Sequence, residues 1–204
     1  MRPILPCGPT AFLVEVGSPH EAAALHRALD AQRPTGCVEI VPAARTVLLS
    51  FTSAEERLAA EDAVACLPGM PAPTLEMDTL TIPVCYDGED LADIARLSGL
   101  EPSEVIELHS NATYEAAFGG FAPGFVYLTG LDERLRLPRR SSPRTSVPSG
   151  SVAIADEFSA VYPRSSPGGW HLLGHTELVL FDAGRDPAVL IAPGMRIRFE
   201  AVQR

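Results

Sequence analysis

The first sixty-odd residues switch repeatedly between two kinds of hydrophobic pattern. Ala11 to Val16, an apolar run broken only by Glu15, reads as a strand. Ser18 then offers an N-cap, with Glu21 three residues on as a capping box, for a helix to about Ala31. Val38–Val41 and Thr46–Phe51 read as two strands around the turn Pro42-Ala43-Ala44-Arg45. Ser53 and Glu56 repeat the capping spacing before a second helix to about Cys66, which Pro68-Gly69 ends. After a crossing rich in proline (Pro68, Pro71, Pro73), Thr79 to Cys85 again reads as a strand. The order β-α-β-β-α-β predicts a small ferredoxin-like layer of helices on a sheet. The expected domain boundary lies near residues 72–82, giving an α+β chain of two parts, 1–78 and 79–204.

The second part opens with two short helices. One runs from Leu91 to Leu97 after Asp87 or Gly88 and is closed by Ser98-Gly99. The other, Glu104 to His109, is opened by Glu101-Pro102-Ser103, with proline suited to the first turn. The period then shortens. Tyr114–Phe118, Phe125–Leu128, Ser151–Ile154, His171–Leu173, Glu177–Phe181 and Met195–Glu200 are short, strand-like and punctuated by Gly and Pro. Such a series predicts a barrel or sandwich.

Composition narrows the function classes. The 204 residues are 46% hydrophobic and 21% charged, ordinary for a globular protein. A net charge of −10 makes nucleic acid a poor partner. Cys7, Cys37, Cys66 and Cys85 show no CxxC pair or zinc spacing and read as reduced thiols. Met1 to Pro6 lacks the apolar region of a signal peptide, and no run approaches the roughly 18 apolar residues that span a bilayer, so the expectation is a cytoplasmic protein without membrane contact. All 16 basic residues are Arg. Without Lys the chain supplies no P-loop, kinase or Schiff-base amine; any phosphate it handles meets Arg, backbone N–H groups or another subunit.

Two histidine pairs resemble metal motifs without fitting them. His20-Glu21 and His26 have the wrong spacing for a zincin helix. His171 and His175, on a strand, would lie roughly 13 Å apart. No metal site is expected in this chain.

The stretch from Gly119 to Trp170 is different. Gly119, Gly120, Pro123 and Gly124 fix a sharp backbone path among Phe121, Phe125 and Tyr127, and bare N–H groups there suit an anion or a carbonyl oxygen. A packed hairpin with aromatic core residues accounts for the same run. Next, Arg134, Arg136, Arg139, Arg140 and Arg144 place five of the 16 basic residues within eleven positions, stiffened by Pro138, Pro143 and Pro148. Guanidinium forks bind carboxylate or phosphate bidentately; a solvated loop or an acidic partner protein would use the same cluster. Ser149-Gly150-Ser151 and Ser165-Ser166-Pro167-Gly168-Gly169-Trp170 add hydroxyls, bare backbone and the sole Trp.

Together, GFAPGFVYL (Gly120–Leu128), LPRRSSPRTSVPSGSVAI (Leu137–Ile154), YPRSSPGGWHLLGHT (Tyr162–Thr176), IPVCYDGEDL (Ile82–Leu91) and Leu108-His109 resemble the allophanate hydrolase subunit 1 family. That family includes the 5-oxoprolinase subunit PxpB and the KipI histidine-kinase inhibitor, and the likeness covers essentially the whole chain. It implies a small N-terminal α/β domain and a C-terminal cyclophilin-like β-barrel. It implies a PxpC-type second subunit, a PxpA-type third component, a small amide substrate, and ATP bound with the partner subunit. It implies ATP-dependent hydrolysis of 5-oxoproline to glutamate, or of a related allophanate- or urea-type amide; the alternative is a KipI-like regulator that docks on a histidine kinase. Carried over residue by residue, Phe121, Gly124, Tyr127, Arg139 and Arg144 would bind substrate or anion, as would Ser151, Ser166, Gly168, Gly169 and Trp170, with Arg139 and Arg144 on a carboxylate or phosphate. His109 would carry a proton or, alternatively, cap its helix. The chain departs from the family where Gly-x-Gln-Thr-Gly gives way to Asp156-Glu157-Phe158-Ser159-Ala160, and where Gly-Arg-Thr becomes Gly174-His175-Thr176.

Overall fold

Residues 2–67 and 79–203 are described by a computed structural model. The chain divides into two compact units, Met1–Glu76 and Met77–Arg204. The expected boundary at 78/79 and the proline-rich crossing fall mostly outside the described residues.

The first unit is a four-stranded antiparallel sheet with two helices. Its strands are β1 (Ile4–Pro6), β2 (Ala11–Glu15), β3 (Cys37–Pro42) and β4 (Thr46–Phe51), in the order β1-β2-β4-β3. Helix α1 (Pro19–Ala31) begins where Ser18 Oγ accepts from the Glu21 N–H at 3.2 Å, and Ser53 caps α2 (Ala54–Ala65) in the same way. The alternation in β2 and β4 turns Phe12, Val14, Val47, Leu49 and Phe51 inward, where they meet Leu25 and Leu29 of α1 and Val64 of α2. Each such side chain contributes about 1.5–3 kcal/mol by leaving water.

The sheet departs from the expected β-α-β-β-α-β plan at one edge. A ferredoxin-like sheet would put the strand that follows α2 beside β2. That place is held by β1, which precedes β2 and pairs with it antiparallel. The strand expected to complete this sheet, β5 (Thr79–Val84), pairs instead with β13 (Arg196–Ala201) of the second unit, in parallel register from Thr79↔Arg196 to Val84↔Ala201.

The second unit is built on a seven-stranded mixed sheet that curls nearly closed into a barrel. Its remaining strands are β6 (Tyr114–Gly119), β7 (Val126–Thr129), β9 (Ser151–Ala155), β10 (Phe158–Val161) and β12 (His171–His175), and the order is β12-β9-β10-β7-β6-β13-β5. The two outer strands meet at a seam. Just beyond β5, Cys85 and His175 exchange both backbone hydrogen bonds at 2.9 Å, and Gly88 N–H and Asp90 N–H then donate to Leu173 O and Leu172 O. The approach is so close that a Cβ on Gly174 would collide with the Cys85 carbonyl, and one on Gly88 with the backbone of Leu172. A separate ribbon pairs β8 (Arg144–Val147) with β11 (Ser166–Gly168). Helices α3 (Leu91–Ser98) and α4 (Pro102–Asn111) help cover the core, whose centre is Ile82, Ile94, Val105, Leu128, Ile154 and Ile197. Gly99 ends α3 in the left-handed conformation, as the sequence signal required.

The strand expectations shift in detail. Glu177–Phe181 forms no strand; only Phe181 bridges, to Val189. Strands β8, β10 and β11, by contrast, carry no strand signal in the sequence. No described helix is long and apolar enough to cross a membrane.

Candidate functional site

The loop from Gly119 to Phe125 is a tight excursion between β6 and β7. Gly120 N–H bonds Phe125 O at 3.1 Å, and Phe125 N–H returns to Ala122 O at 3.0 Å. Gly124 sits at φ +79°, and a Cβ there would lie 2.6 Å from the Phe181 Cβ, so both backbone and space demand glycine. Phe121 adopts φ +65° without being glycine, and its side chain is 59% exposed. A bulky left-handed residue costs of order 1 kcal/mol or more and must be held by its surroundings, and such strain gathers at functional positions.

Below Phe121 lies a wall of rings. Phe125 meets Phe121, Tyr127, Tyr162 and Trp170 edge-on at centroid distances of 5.2 to 5.6 Å. Tyr127 also packs on Trp170 at 5.6 Å and stacks on Phe118 at 4.5 Å. Phe158, from the segment that departs from the family pattern, is buried against Phe118 and Tyr127. Its neighbour Asp156 turns the β9–β10 hairpin at φ +52°, a conformation glycine would adopt more easily.

Each of the five clustered arginines has an acidic partner. Arg134 is paired with Asp132 at 3.0 Å and Arg136 with Glu133 at 3.8 Å. Arg140 Nη1 and Arg144 Nη2 both donate to Asp90 Oδ1, at 2.5 and 2.8 Å. The other oxygen of Asp90 accepts from the Leu172 N–H at 2.8 Å. Burial alone would push the Asp90 carboxyl up. The hydrogen bonds from Arg144 and Leu172, with the charges of both guanidinium groups, outweigh burial and hold it below the usual carboxylate range. Glu89 adds a further contact to Arg144 at 3.3 Å. Arg144, expected from the sequence to hold a substrate anion, thus has its fork turned onto a buried carboxylate of its own chain.

Arg139 is the least committed of the five. Its pair with Asp156 is 3.8 Å long, with both side chains more than half exposed, so water and salt screen it and it contributes little. Its guanidinium carbon stands 6.0 Å from the centre of the Trp170 ring. Arg139 therefore lies over the buried Trp170, which packs on buried Phe125 and half-buried Tyr127, and exposed Phe121 stands at the rim of this aromatic patch.

The other residues nominated from the sequence are held by contacts of their own. Gly168, across from Arg144 in the β8–β11 ribbon, leaves room that a Cβ would take from the Tyr162 hydroxyl. Gly169 O accepts from the Arg140 N–H at 2.8 Å. Ser166 Oγ turns back to Arg164 O at 3.4 Å. Ser151 is buried in β9, paired with His175.

His109 lies elsewhere. It is fully buried under α4, stacked on Phe199 at 4.5 Å. Burial lowers its pKa to about 3, so the ring is neutral. Ser159 Oγ–H donates to Ala153 O at 3.3 Å, which leaves Ser159 Oγ to accept from His109 Nε2–H at 2.9 Å. Nδ1 then accepts from the Tyr86 hydroxyl at 2.7 Å. Both ring nitrogens are spent on this chain from Tyr86 to the barrel strands. In this position the ring is shut off from solvent and does not cap the helix. Val105 and His109, four apart on the buried face of α4, were the sequence signal for that placement.

Asp90 was missed, although it lies within the run IPVCYDGEDL. An acid immediately before a helix reads as a cap, and nothing local announces two arginines fifty residues away.

The sequence and the fold both have known counterparts. The chain belongs to the carboxyltransferase-domain family, subdomains C and D, whose model matches residues 1–191. It is 50% identical over 123 residues to the B-type subunit of the 5-oxoprolinase of Escherichia coli O157:H7, covering 59% of this chain and 56% of that protein. It thus spans about half the length of the curated relative. Among solved structures, a conserved uncharacterized protein of Pyrococcus horikoshii is 33% identical with a TM-score of 0.59, over 98% of this chain and 97% of that one. The urea carboxylase of Kluyveromyces lactis shares the fold at 19% identity, with a TM-score of 0.71 over 98% of this chain and 22% of that one.

Proposed function

We propose that this chain is the B-type subunit of an ATP-dependent 5-oxoprolinase. With its partners it would convert 5-oxoproline, ATP and two waters to glutamate, ADP and phosphate. The observation that carries the reading is the 50% identity to a curated 5-oxoprolinase subunit of the same type. The patch supports it. 5-Oxoproline is a small flat ring with one carboxylate. Arg139 has a planar fork for that carboxylate, and the exposed Phe121 with the half-buried Tyr127 offers apolar surface for the ring, on a floor of buried Trp170 and Phe125. Phe121, exposed and strained, would close over the substrate or meet the next subunit.

The rest of the machinery comes from elsewhere. A chain without Lys binds ATP through arginine and backbone groups, and we place the nucleotide at the junction with a PxpC-type subunit, with a PxpA-type third component completing the assembly. The barrel is of the cyclophilin-like kind. The assembly works in the cytoplasm, where exposed thiols such as Cys7 and Cys66 stay reduced. The kinase-inhibitor alternative gains no support from the relatives described above.

The test is co-expression with the C-type and A-type subunits, followed by ATP-dependent release of glutamate from 5-oxoproline. No turnover by the intact assembly refutes the reading. With turnover, Arg139→Ala raises KM for 5-oxoproline or lowers kcat/KM at least tenfold, about 1.4 kcal/mol of lost binding. Unchanged kinetics would move the carboxylate site away from Arg139.

A further inference from the structure

The seam that closes the barrel brings three metal-ligating groups together, two from the segment just after β5 and one from β12. The ligand atoms of Cys85, Asp87 and His175 all lie within 4.8 Å of each other. We propose that they bind a single divalent cation of the zinc class.

The geometry is near what the cation needs. Tetrahedral Zn2+ takes sulfur at about 2.3 Å and nitrogen or oxygen at about 2.0–2.2 Å, which sets ligand atoms roughly 3.3–3.8 Å apart. The three groups need to contract by about an ångström. His175 Nδ1 and Asp87 Oδ1 are already at 2.8 Å. The backbone that carries them cannot drift, because Cys85 and His175 are locked to each other by two hydrogen bonds and Gly174 and Gly88 admit no looser approach. Ligands fixed in advance lose little freedom on binding.

The donor set selects the metal. One thiolate, one imidazole and one carboxylate suit Zn2+ or Co2+ and exclude Mg2+ and Ca2+, which take oxygen ligands. Thiolate and carboxylate also balance the two positive charges. A partner for the distal ring nitrogen is at hand: Glu177 Oε1 stands 3.6 Å from His175 Nε2, placed to accept its proton and aim Nδ1 at the metal. The His175 and Asp87 side chains are 32% and 42% exposed, so a cation can enter and a water can fill the fourth position. Bound there, the metal clips the segment after β5 to β12 and fastens the barrel at the Cys85–His175 bridge, where its two edges meet. The spacing rules that dismissed His171 with His175 could not find this site, because Cys85 and His175 stand 90 positions apart.

The proposal is independent of the oxoprolinase reading, and so is its test. The full chain carrying Cys7→Ser and Cys66→Ser, which removes the two exposed thiols, is stripped with a chelator and titrated with Co2+. One equivalent is expected to bind with a thiolate-to-cobalt charge-transfer band in the near ultraviolet, and Zn2+ is expected to displace it. Saturating Zn2+ raises Tm by roughly 5 °C or more. Cys85→Ser abolishes the band, and His175→Arg, which sets a fixed cation in the metal's place, weakens Co2+ binding at least tenfold. Asp87→Asn does the same and serves as the deciding variant if Cys85→Ser does not fold. Absence of the band in the reference chain, its persistence in Cys85→Ser, or unchanged affinity in Asp87→Asn overturns the site.

Discussion

Replacing Asp90 by Asn should destabilise the barrel unit by about 2–4 kcal/mol. The carboxylate is 2% exposed and receives Arg140 and Arg144 on one oxygen and the Leu172 N–H on the other. Removing one partner of a fully buried ion pair costs about 3–5 kcal/mol, because the opposite charge is left without compensation. The Arg140 and Arg144 side chains keep 30% and 17% of their exposure, so water recovers part of the loss and the lower range applies. For a chain of 204 residues that is a fall in Tm of roughly 4–16 °C. The pH dependence carries its own signature. The folded-state pKa lies below the unfolded value, so the contribution is present above about pH 4 and is lost as pH falls through the depressed pKa. Urea melts of wild type and Asp90→Asn from neutral pH down through the ordinary carboxylate pKa of about 4 measure both effects. Equal stability within about 0.5 kcal/mol at pH 7, or a gap that widens as pH falls, would refute the clamp.

Gly124→Ala forces a left-handed alanine against Phe181 and should cost about 1–3 kcal/mol in a denaturant melt; a neutral result would mean that the loop can move aside. His109 is held neutral down to about pH 3, whereas an unfolded histidine protonates near 6.5. The unfolded chain therefore takes up the extra proton between those values. The His109 contribution is complete above about pH 6.5 and declines on acidification, and NMR of the ring should show the Nε2–H tautomer unchanged at pH 5, a titrating ring refuting the burial. Phe158→Gln places an amide against Phe118 and Tyr127 where no partner waits, and about 1–3 kcal/mol should be lost by urea titration; a stabilised protein would mean that a polar group is already buried there.

What could be read from the sequence was local. Ser18 with Glu21 and Ser53 with Glu56 announce α1 and α2 because a capping oxygen and its N–H lie three residues apart. Short apolar runs bounded by turn or cap residues mark β2 and β4, whose burial alternates because each has one face in the core. Strand β10 was hidden because all four of its residues are buried, which removes alternation, and β11 because Ser-Pro-Gly carries turn chemistry. Glu177–Phe181 carries an apolar run without joining the sheet, and only Leu180 and Thr176 in that neighbourhood are well buried. The aromatic patch was visible as composition, and Arg139 as one of five equals. Its distinction lies in what the others are paired with, and Asp90 sits fifty positions from Arg140. Long-range pairing of this kind leaves no periodic trace.

The parallel pairing of β5 with β13 has a consequence for how the protein is made. Thr79 reaches its neighbour only when Arg196 has been synthesised, 117 positions later. On a ribosome adding about 5–20 residues each second, the strand would wait roughly 6–25 seconds for that partner. The first unit, whose sheet neighbours all lie within its own span, can settle meanwhile. The edge of β5 is then the surface a nascent-chain chaperone would need to shield, and a ribosome stalled shortly before codon 196 would leave a barrel with an open stave.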